Sequence, residues 1–229
     1  MVSVRKALSR LVVVGALCSL PTAAVLVPSD ASASVSIAVP FDTLVKDADL
    51  VAVITAGEQS SVWEDGRIYT YTKVHVDQGV AGDIGPGAEG WVRTMGGVVG
   101  KIGQLVDGEP VFVKDKPSLL FLRKFKSGGV YEVAARAQGQ YPVKVDEVSK
   151  MRKIVRSSSV GLLLPPKRLN QVTHSPPLAS SVEAQSATAL SATAREIRLA
   201  QDVMHDRPLE DVSREIATAW KRLHPTATK

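Results

Sequence analysis

Residues 50–76, LVAVITAGEQSSVWEDGRIYTYTKVHV, predict two long β-strands joined by a tight turn. Residues 50–54 are continuously apolar, which is typical of a strand buried on both faces. Asp65-Gly66 lies between the two β-prone runs and is a strong hairpin signal, because glycine accepts the positive φ that such turns need. The second strand alternates, with Ile68, Thr70, Thr72, Val74 and Val76 on one face and Tyr69, Tyr71, Lys73, His75 and Asp77 on the other.

The β pattern continues on both sides of this hairpin, over residues 34–165. Further strands are expected at residues 89–95, 117–125, 130–135 and 141–145, with a helical turn at 41–48 and a short helix at 146–159. Glycine-rich stretches at residues 79–87 and 96–103 are expected to be loops. About six short strands linked by turns favour a mainly β fold, either a small antiparallel barrel or a sandwich of OB-like type.

The C-terminal part of the chain differs from this β-domain. Residues 166–186 are rich in proline and serine and are expected to form an extended linker. Residues 187–229 predict an amphipathic tail of two helices, the second with Pro208 in its first turn and a stop at His224-Pro225. The apolar stripe of this second helix is expected at Leu209, Val212, Ile216, Ala219, Trp220 and Leu223. Because helices this short are unstable alone in water, the stripe must pack on something.

Residues 1–33 are predicted to be a secretory signal peptide. A basic start at residues 5–10 precedes an apolar run at residues 11–20, and small residues follow with the spacing that a signal peptidase recognises. Cleavage is expected after Ala33, with Ala24 as the alternative site. A retained N-terminal anchor is the other interpretation, although the run falls short of the about 20 apolar residues that a membrane span needs. The expected location is therefore the periplasm or the extracellular space.

The position of the single cysteine and the distribution of charge argue against two further classes, lipoproteins and nucleic-acid-binding proteins. Cys18 is the only cysteine, and it follows Leu17 rather than the small residue that a lipoprotein signal requires. A mature chain without cysteine must be held together by its core instead of disulfides. The chain carries 28 basic and 23 acidic residues, a formal charge of +5, with no basic stripe of interleaved aromatics. Nucleic acid is therefore not an expected partner.

Motifs for cofactors, metals and nucleophiles are missing from the sequence. Gly100-Lys101 resembles the end of a phosphate-binding loop, but Met95 and Ile102 stand where that motif needs glycine and Ser or Thr. No nucleotide, cofactor or metal is therefore expected. The four histidines are scattered without metal-ligand spacing, and no serine has the glycine-flanked context of a nucleophile elbow.

The candidate binding residues are aromatic and charged side chains around the hairpin and on the strand expected at residues 89–95. They are Trp63, Asp65, Arg67, Tyr69, Tyr71, Trp91 and Arg93. Aromatic side chains at period two on a strand can stack on sugar rings or bind a partner protein. The structural alternative is that Asp65 forms the turn, Arg67 pairs with a neighbouring carboxylate, and the aromatics fill a barrel or a groove under the tail.

One pattern in residues 41–122 resembles a group of short exported bacterial proteins of uncharacterised function. It consists of Ala48-Asp49-Leu50-Val51, the run at residues 63–76, Gly96-Gly97 with Gly103, the run at 106–112, and Leu119-Leu120-Phe121-Leu122. The resemblance implies a small β-barrel, OB-like or like the tissue inhibitors of metalloproteinases, in an exported protein. The cysteines of those inhibitors are missing here, which argues against an inhibitor role of that kind. The resemblance implies no mechanism.

These observations favour an exported, non-enzymatic binding module of a Gram-negative bacterium, with an envelope protein or glycan as its ligand. One alternative is a secreted enzyme or enzyme subunit whose site is assembled in space, with Glu64, Asp65, Arg67, His75 and Arg93 as the first candidates. Another is a structural protein whose tail docks on its own β-domain or on a second copy. Clustering of the candidates around one deep pocket would favour the enzyme, and aromatics on an open surface would favour the binding module.

Overall fold

The computed structural model describes residues 35–125, 129–166 and 197–225. The predicted hairpin forms from β2 (Leu50–Glu64) and β3 (Arg67–Ala81), which pair antiparallel and end at the pair Glu64 and Arg67. Asp65 and Gly66 form its turn with φ values of 49° and 77°. Gly66 meets no other atom at the place of a Cβ, so its requirement is conformational rather than steric.

The remaining elements follow the chain in a simple order. Before the hairpin lie β1 (Val35–Ile37) and α1 (Phe41–Asp47). After it come β4 (Glu89–Met95), β5 (Gly97–Val99), β6 (Ile102–Gln104), β7 (Pro117–Lys124), β8 (Val130–Val133), a 3-10 helix (Arg136–Gly139), β9 (Gln140–Val145), β10 (Arg152–Ile154) and β11 (Leu162–Leu164). The C-terminal part contains α2 (Ala200–Met204), β12 (Arg207–Pro208) and α3 (Leu209–Leu223). The prediction of a mainly β fold with C-terminal helices is confirmed.

The main sheet has eight strands in the order β12-β10-β9-β7-β2-β3-β4-β8, and β8 also pairs with β7. The strand pairings therefore form a cycle, which runs from β7 through β2, β3, β4 and β8 and back to β7. Within this sheet the pairing is antiparallel except between β4 and β8, which run parallel. The four-residue β8 joins each neighbour through three residue pairs. A closed OB-like barrel stays a prediction.

Alternate residues of β2 and β7 build two separate cores. The inner core is formed by side chains from one face of β2, β3, β4, β7 and β8. Its residues are Leu50, Ala52, Ile54, Val74, Val76, Val92, Leu120, Leu122 and Val133. The outer core uses the intervening residues of the same two strands, Val51, Val53, Leu119 and Phe121, and packs them against the helices. This arrangement confirms the prediction that residues 50–54 are buried on both faces.

Helices α1, α2 and α3 cover the outer core. Leu209, Val212, Ile216 and Ala219 of α3 are buried there, and Trp220 and Leu223 pack at its margin. The predicted apolar stripe is thus confirmed, and it packs on the β-domain of its own chain. None of the helices within the described parts of the chain has the length and apolar content that a membrane crossing requires.

Several sequence predictions need correction. The helix expected at residues 146–159 is wrong: Asp146 accepts hydrogen bonds from the backbone N–H groups of Val148 and Ser149, and the resulting turn leads into β10. The loop expected at residues 96–103 contains the short hairpin of β5 and β6. The first helix of the predicted tail, α2, begins only at Ala200, so Ile197 precedes it and is exposed. The predicted signal peptide and linker lie outside the described residues, apart from Pro166.

Candidate binding site

Arg93 on β4 is the centre of the predicted site. Its side chain is only 9% exposed and lies on the outer face of the sheet, opposite Tyr71 of β3 and Glu132 of β8. Its Nη2 donates to Glu64 Oε2 at 2.8 Å and its Nη1 donates to Glu132 Oε1 at 2.9 Å. Tyr71 Oη donates to the other oxygen of Glu64 at 2.5 Å. We call Glu64, Tyr71, Arg93 and Glu132 the arginine network; it joins four strands.

Protonation in the arginine network follows from these contacts. Partial burial and the hydrogen bond to Glu64 raise the pKa of the Tyr71 hydroxyl. Burial alone would lower the pKa of the Arg93 guanidinium, but the hydrogen bonds to Glu64 and Glu132 outweigh it and raise that pKa. Arg93 is therefore a permanent cation, and Tyr71 is a neutral hydrogen-bond donor at physiological pH.

Two aromatic rings flank the guanidinium of Arg93. Its central carbon lies 3.4 Å from the ring centroid of Tyr69 and 4.3 Å from that of Phe125. A cation over an aromatic face is attracted by the ring quadrupole. Contacts with these two rings and the ion pairs with Glu64 and Glu132 fix the position of the guanidinium, so Arg93 connects the residues of the site.

The structure separates the seven predicted residues into two groups. Tyr69, Tyr71, Trp91 and Arg93 share the outer face of β3 and β4. Trp63 pairs in register with the buried Ile68 and therefore points to the other side of the sheet, where it is 49% exposed. Asp65 and Arg67 lie exposed at the hairpin end, Asp65 in the turn as the structural interpretation expected. Trp91 is 37% exposed beside an ion pair between Lys73 and Glu89.

An open cleft of about 240 Å³ lies beside Arg93. Its wall includes Tyr69, Arg93, Glu109, Arg123, Glu132 and Arg136, and we call it the arginine cleft. Arg136 donates to Glu109, and Arg123 lies 3.6 Å from Glu132 while remaining more than half exposed. The cleft thus offers cationic donors at its rim and an aromatic ring beside the buried Arg93.

A second cavity of about 230 Å³ adjoins the arginine cleft and shares Thr94, Met95, Glu109 and Pro110 with it. Thr70, Thr72 and Thr94 line it together with Gln59, Gln104 and Phe112, and we call it the threonine pocket. Its threonines continue the inner face of β3 and β4 beyond the apolar inner core. Among the described residues that line this pocket, only Glu109 carries an ionisable side chain.

Side-chain hydrogen bonds hold the wall of the threonine pocket in place. Gln140 bonds both backbone groups of Val111, its Oε1 accepting at 3.2 Å and its Nε2 donating at 2.7 Å. Gln59 Nε2 donates to the carbonyl of Phe112 at 3.0 Å. Glu109 Oε2 accepts from the N–H of Met95 at 3.0 Å. Residues 109–112 are thereby fixed against strands from three parts of the sequence.

The neighbouring hairpin of β5 and β6 packs closely against β2 and β3, and a glycine makes this close approach possible. A Cβ at Gly97, where φ is 134°, would lie 2.3 Å from Thr70 Oγ1 and 2.4 Å from Ser61 Oγ. Those two hydroxyls hydrogen-bond each other at 2.8 Å, and Thr70 Oγ1 donates to Gly96 O at 2.7 Å. The glycines therefore allow a close backbone approach at this corner of the sheet.

The residues proposed for an enzyme do not converge on either cavity. Of Glu64, Asp65, Arg67, His75 and Arg93, only Arg93 lines the arginine cleft, and none lines the threonine pocket. The part of the chain that the structure describes contains no group of three or more His, Cys, Asp or Glu side chains able to hold a metal ion.

A scan against protein-family models found no match, and searches of the curated proteins and of the solved structures found none either. The site must therefore be interpreted from its own geometry. Sequence reasoning missed Arg123, Arg136, Phe125 and the threonine pocket. Thr70 and Thr72 did carry a signal in the sequence. They occupy the alternate positions of β3 that the buried Val74 and Val76 fill further along the same strand.

Proposed function

We propose that this protein is an exported, non-enzymatic binding module and that its ligand is a glycan of the bacterial envelope. The observation that carries this is the arginine cleft, where Tyr69 and Arg93 form a rigid wall and Arg123 and Arg136 stand at the rim. Aromatic faces pack on the apolar faces of sugar rings, while convergent polar groups bond the hydroxyls. The N-terminal sequence pattern supports export.

The hydrogen bonds that the carboxylates of the site already accept favour a binding role over a catalytic role. Glu64 accepts from Tyr71 and Arg93, Glu132 accepts from Arg93, and Glu109 accepts from Met95 N–H and Arg136. A general acid or base must exchange a proton with the reacting group and needs a pKa near the working pH. Because the oxygens of these carboxylates already accept hydrogen bonds within the protein, fewer of their lone pairs remain to exchange a proton with a reacting group. The same contacts make them suitable for orienting guanidinium donors toward a ligand.

The direct test is titration of the mature chain, beginning at residue 34, against an array of envelope glycans that includes peptidoglycan fragments and surface oligosaccharides. Arg123→Gln at the rim of the cleft, and Trp91→Ala on the same outer face of β4 as Arg93, are each expected to weaken the best ligand at least about fivefold, since each removes an exposed side chain on or beside the cleft. Arg214→Gln on α3 and Trp63→Ala on the opposite side of the sheet are the matched controls and should leave affinity unchanged.

Two outcomes would contradict the proposal. One is an array that yields no binding while mature protein captures a specific envelope protein, which would favour the protein ligand. The other is turnover of a bound glycan, which would favour the enzyme. Cell fractionation of the full chain tests export separately, because recovery of uncleaved protein in the cytoplasm would contradict it.

A further inference from the structure

Two cations at the rim of the arginine cleft, Arg123 and Arg136, have hydrogen-bond donors that the protein leaves unused. Arg123 lies 3.6 Å from Glu132, which is too long for a hydrogen bond, and it donates to no described residue. Arg136 donates to Glu109 through Nε at 2.5 Å, and its two terminal nitrogens donate to no described residue. The side chains are 58% and 49% exposed, so a ligand in the cleft can reach both guanidinium groups.

The carboxylates that these two arginines approach place both guanidinium groups at the wall of the cleft. Glu132 Oε1 accepts from the largely enclosed Arg93, and Arg123 approaches the other oxygen, Oε2, from the paired strand β7. Glu109 Oε2 accepts from a backbone N–H at the end of β4, while its Oε1 accepts from Arg136. Each rim arginine is therefore positioned by a carboxylate that a second group of the same wall holds in place.

The backbone at Arg136 adopts an unusual conformation. Ala135 and Arg136 both have a φ of 55°, which lies in the left-handed region that residues other than glycine rarely adopt. Two successive residues of this kind cost free energy and persist only where the surrounding structure fixes them. They connect β8 to the 3-10 helix that begins at Arg136. Because strained residues cluster at sites that hold ligands, this conformation supports a binding role for Arg136.

The donors that remain at the rim favour a ligand group with a single negative charge. A guanidinium binds a carboxylate through two parallel N–H bonds, and such charge-assisted bonds are stronger than bonds to a neutral hydroxyl. Both rim arginines are about half exposed in their ion pairs, so rearranging these pairs around a ligand costs little. Glu64, Glu109 and Glu132 already balance the formal charge of the three arginines, which favours a carboxylate over a phosphate monoester with about two charges.

We propose that the glycan ligand is acidic and that a carboxylate on one of its sugar rings binds between Arg123 and Arg136. This inference rests on the proposed function and names the class of glycan that the arginine cleft takes. The cleft volume of about 240 Å³ corresponds to roughly eight water molecules, which is room for the one ring that carries the carboxylate. Arg123 and Arg136 are then the residues that determine specificity, because a neutral ring offers them only hydroxyl acceptors.

Isothermal titration with paired probes separates the charge of the ligand from its rings. Trigalacturonate and its fully methyl-esterified form have the same three rings with and without charge. N-acetylglucosaminyl-N-acetylmuramic acid and chitobiose form a second pair, which differs by the lactyl group that carries the carboxylate. In at least one pair the acidic member should bind about tenfold more tightly than the neutral member. Glucuronate and glucose 6-phosphate, used as competitors, compare a carboxylate with a phosphate on the same ring.

Arg123→Gln and Arg136→Gln should each weaken the acidic member about tenfold and change the affinity of the neutral member by less than about twofold. Arg123→Lys should retain part of the preference, because lysine keeps the charge but loses the paired donors. Arg214→Gln is the matched control, since it makes the same charge change at a 79% exposed arginine of α3, and it should leave both affinities unchanged. Because Arg123 donates no hydrogen bond to a described residue, its variants should keep the wild-type melting temperature and decide the test even if Arg136→Gln fails to fold.

Four outcomes would overturn this inference. Equal affinity for the acidic and neutral members of both pairs, with binding still lowered by Trp91→Ala, would leave the proposed function standing with a neutral glycan. Tighter binding of glucose 6-phosphate than of glucuronate would replace the carboxylate by a phosphate. An acidic preference that Arg123→Gln leaves unchanged would show that the carboxylate binds elsewhere. No binding of any glycan by the wild type would overturn both proposals.

Discussion

The outer face of the sheet has two halves that are built differently from the same strands. On one half, Val51, Val53, Leu119 and Phe121 are covered by α1, α2 and α3 and form a dry core. On the other half, β3 and β4 extend beyond the helices and present the arginine network with Tyr69 and Trp91. We call these the covered half and the open half.

The difference indicates that the covered half mainly stabilises the fold, while the open half is the part of the sheet proposed to bind the ligand. The covered half gains from apolar burial, which has no directional requirement and grows with area. In the open half the largely enclosed guanidinium of Arg93 is paired with carboxylates and stacked on aromatic rings. Such pairing fixes the orientation of these groups but contributes little net free energy, because the charges lose their hydration. Substitutions in the covered half should therefore cost more free energy of unfolding than substitutions in the open half.

The largest effect is expected from Ile216→Ala in the covered half. Ile216 of α3 is 0% exposed, and its truncation leaves a cavity between the helix and the sheet. The free energy of unfolding should fall by about 2–5 kcal/mol in urea denaturation. Ile197→Ala is the control, because Ile197 is 47% exposed and should change stability by less than about 0.5 kcal/mol. Equal losses in both variants would mean that α3 does not cover the core.

The covered half and the turn of the long hairpin were largely predictable from the sequence. Residues 50–54, the turn at Asp65-Gly66 and the stripe of α3 are local patterns, in which period and turn chemistry alone indicate burial. The prediction failed at residues 146–159, where β10 lies against both β9 and β12. Pairing with a strand more than 50 residues away along the chain is not visible in a local window, and the Asp146 turn that precedes it resembles a helix start.

An intermediate effect is expected from Arg93→Met in the open half. The change keeps a long apolar stem against Tyr69 but removes the donors to Glu64 and Glu132. Because both carboxylates remain partly exposed, the loss should be about 1–3 kcal/mol at neutral pH, below that for a fully buried pair. Urea denaturation of the wild type and of Arg93→Met measures this difference in the free energy of unfolding.

Lys73→Met is the control for this variant. Lys73 and Glu89 form an ion pair at 2.9 Å on the same face, with both side chains largely in solvent. Exposed pairs contribute little, so no measurable change in the free energy of unfolding is expected. A Lys73→Met loss as large as that of Arg93→Met would show that charge on this face matters more than burial and geometry.

Less of the site than of the fold could be predicted. Tyr69, Tyr71, Trp91 and Arg93 were found because residue type and alternation indicate an exposed aromatic face. The partners of Arg93 come from β2, β8 and Phe125, so they are set by strand order and not by any spacing in the sequence. The threonine pocket depends in the same way on Gln59 and Gln140, which meet residues 111–112 only after the strands have paired.

The smallest effect is expected from Glu215→Gln, one residue before Ile216 but at the rim of the covered half. Glu215 accepts from Arg198 and from Arg207, the latter at 2.7 Å. Partial burial would raise its pKa, but these two hydrogen bonds outweigh it and lower the pKa below the ordinary range of a glutamate. A lowered folded-state pKa gives stability that is present above the unfolded-state pKa and is lost as the pH falls through the folded-state value.

Glu215→Gln should therefore cost at most about 1 kcal/mol at neutral pH, and the difference from wild type should vanish in acid. Urea denaturation from about pH 7 down to about pH 2 measures this dependence. Glu210→Gln, which removes the more exposed pair with Arg152, is the control and should leave stability unchanged. A Glu215→Gln loss that persists in acid would mean that the side chain acts through packing, like Ile216 beside it. Glu215 and Ile216, which are neighbours on α3, would then stabilise the fold in the same way, and the contrast between charged and covered apolar contacts would not hold.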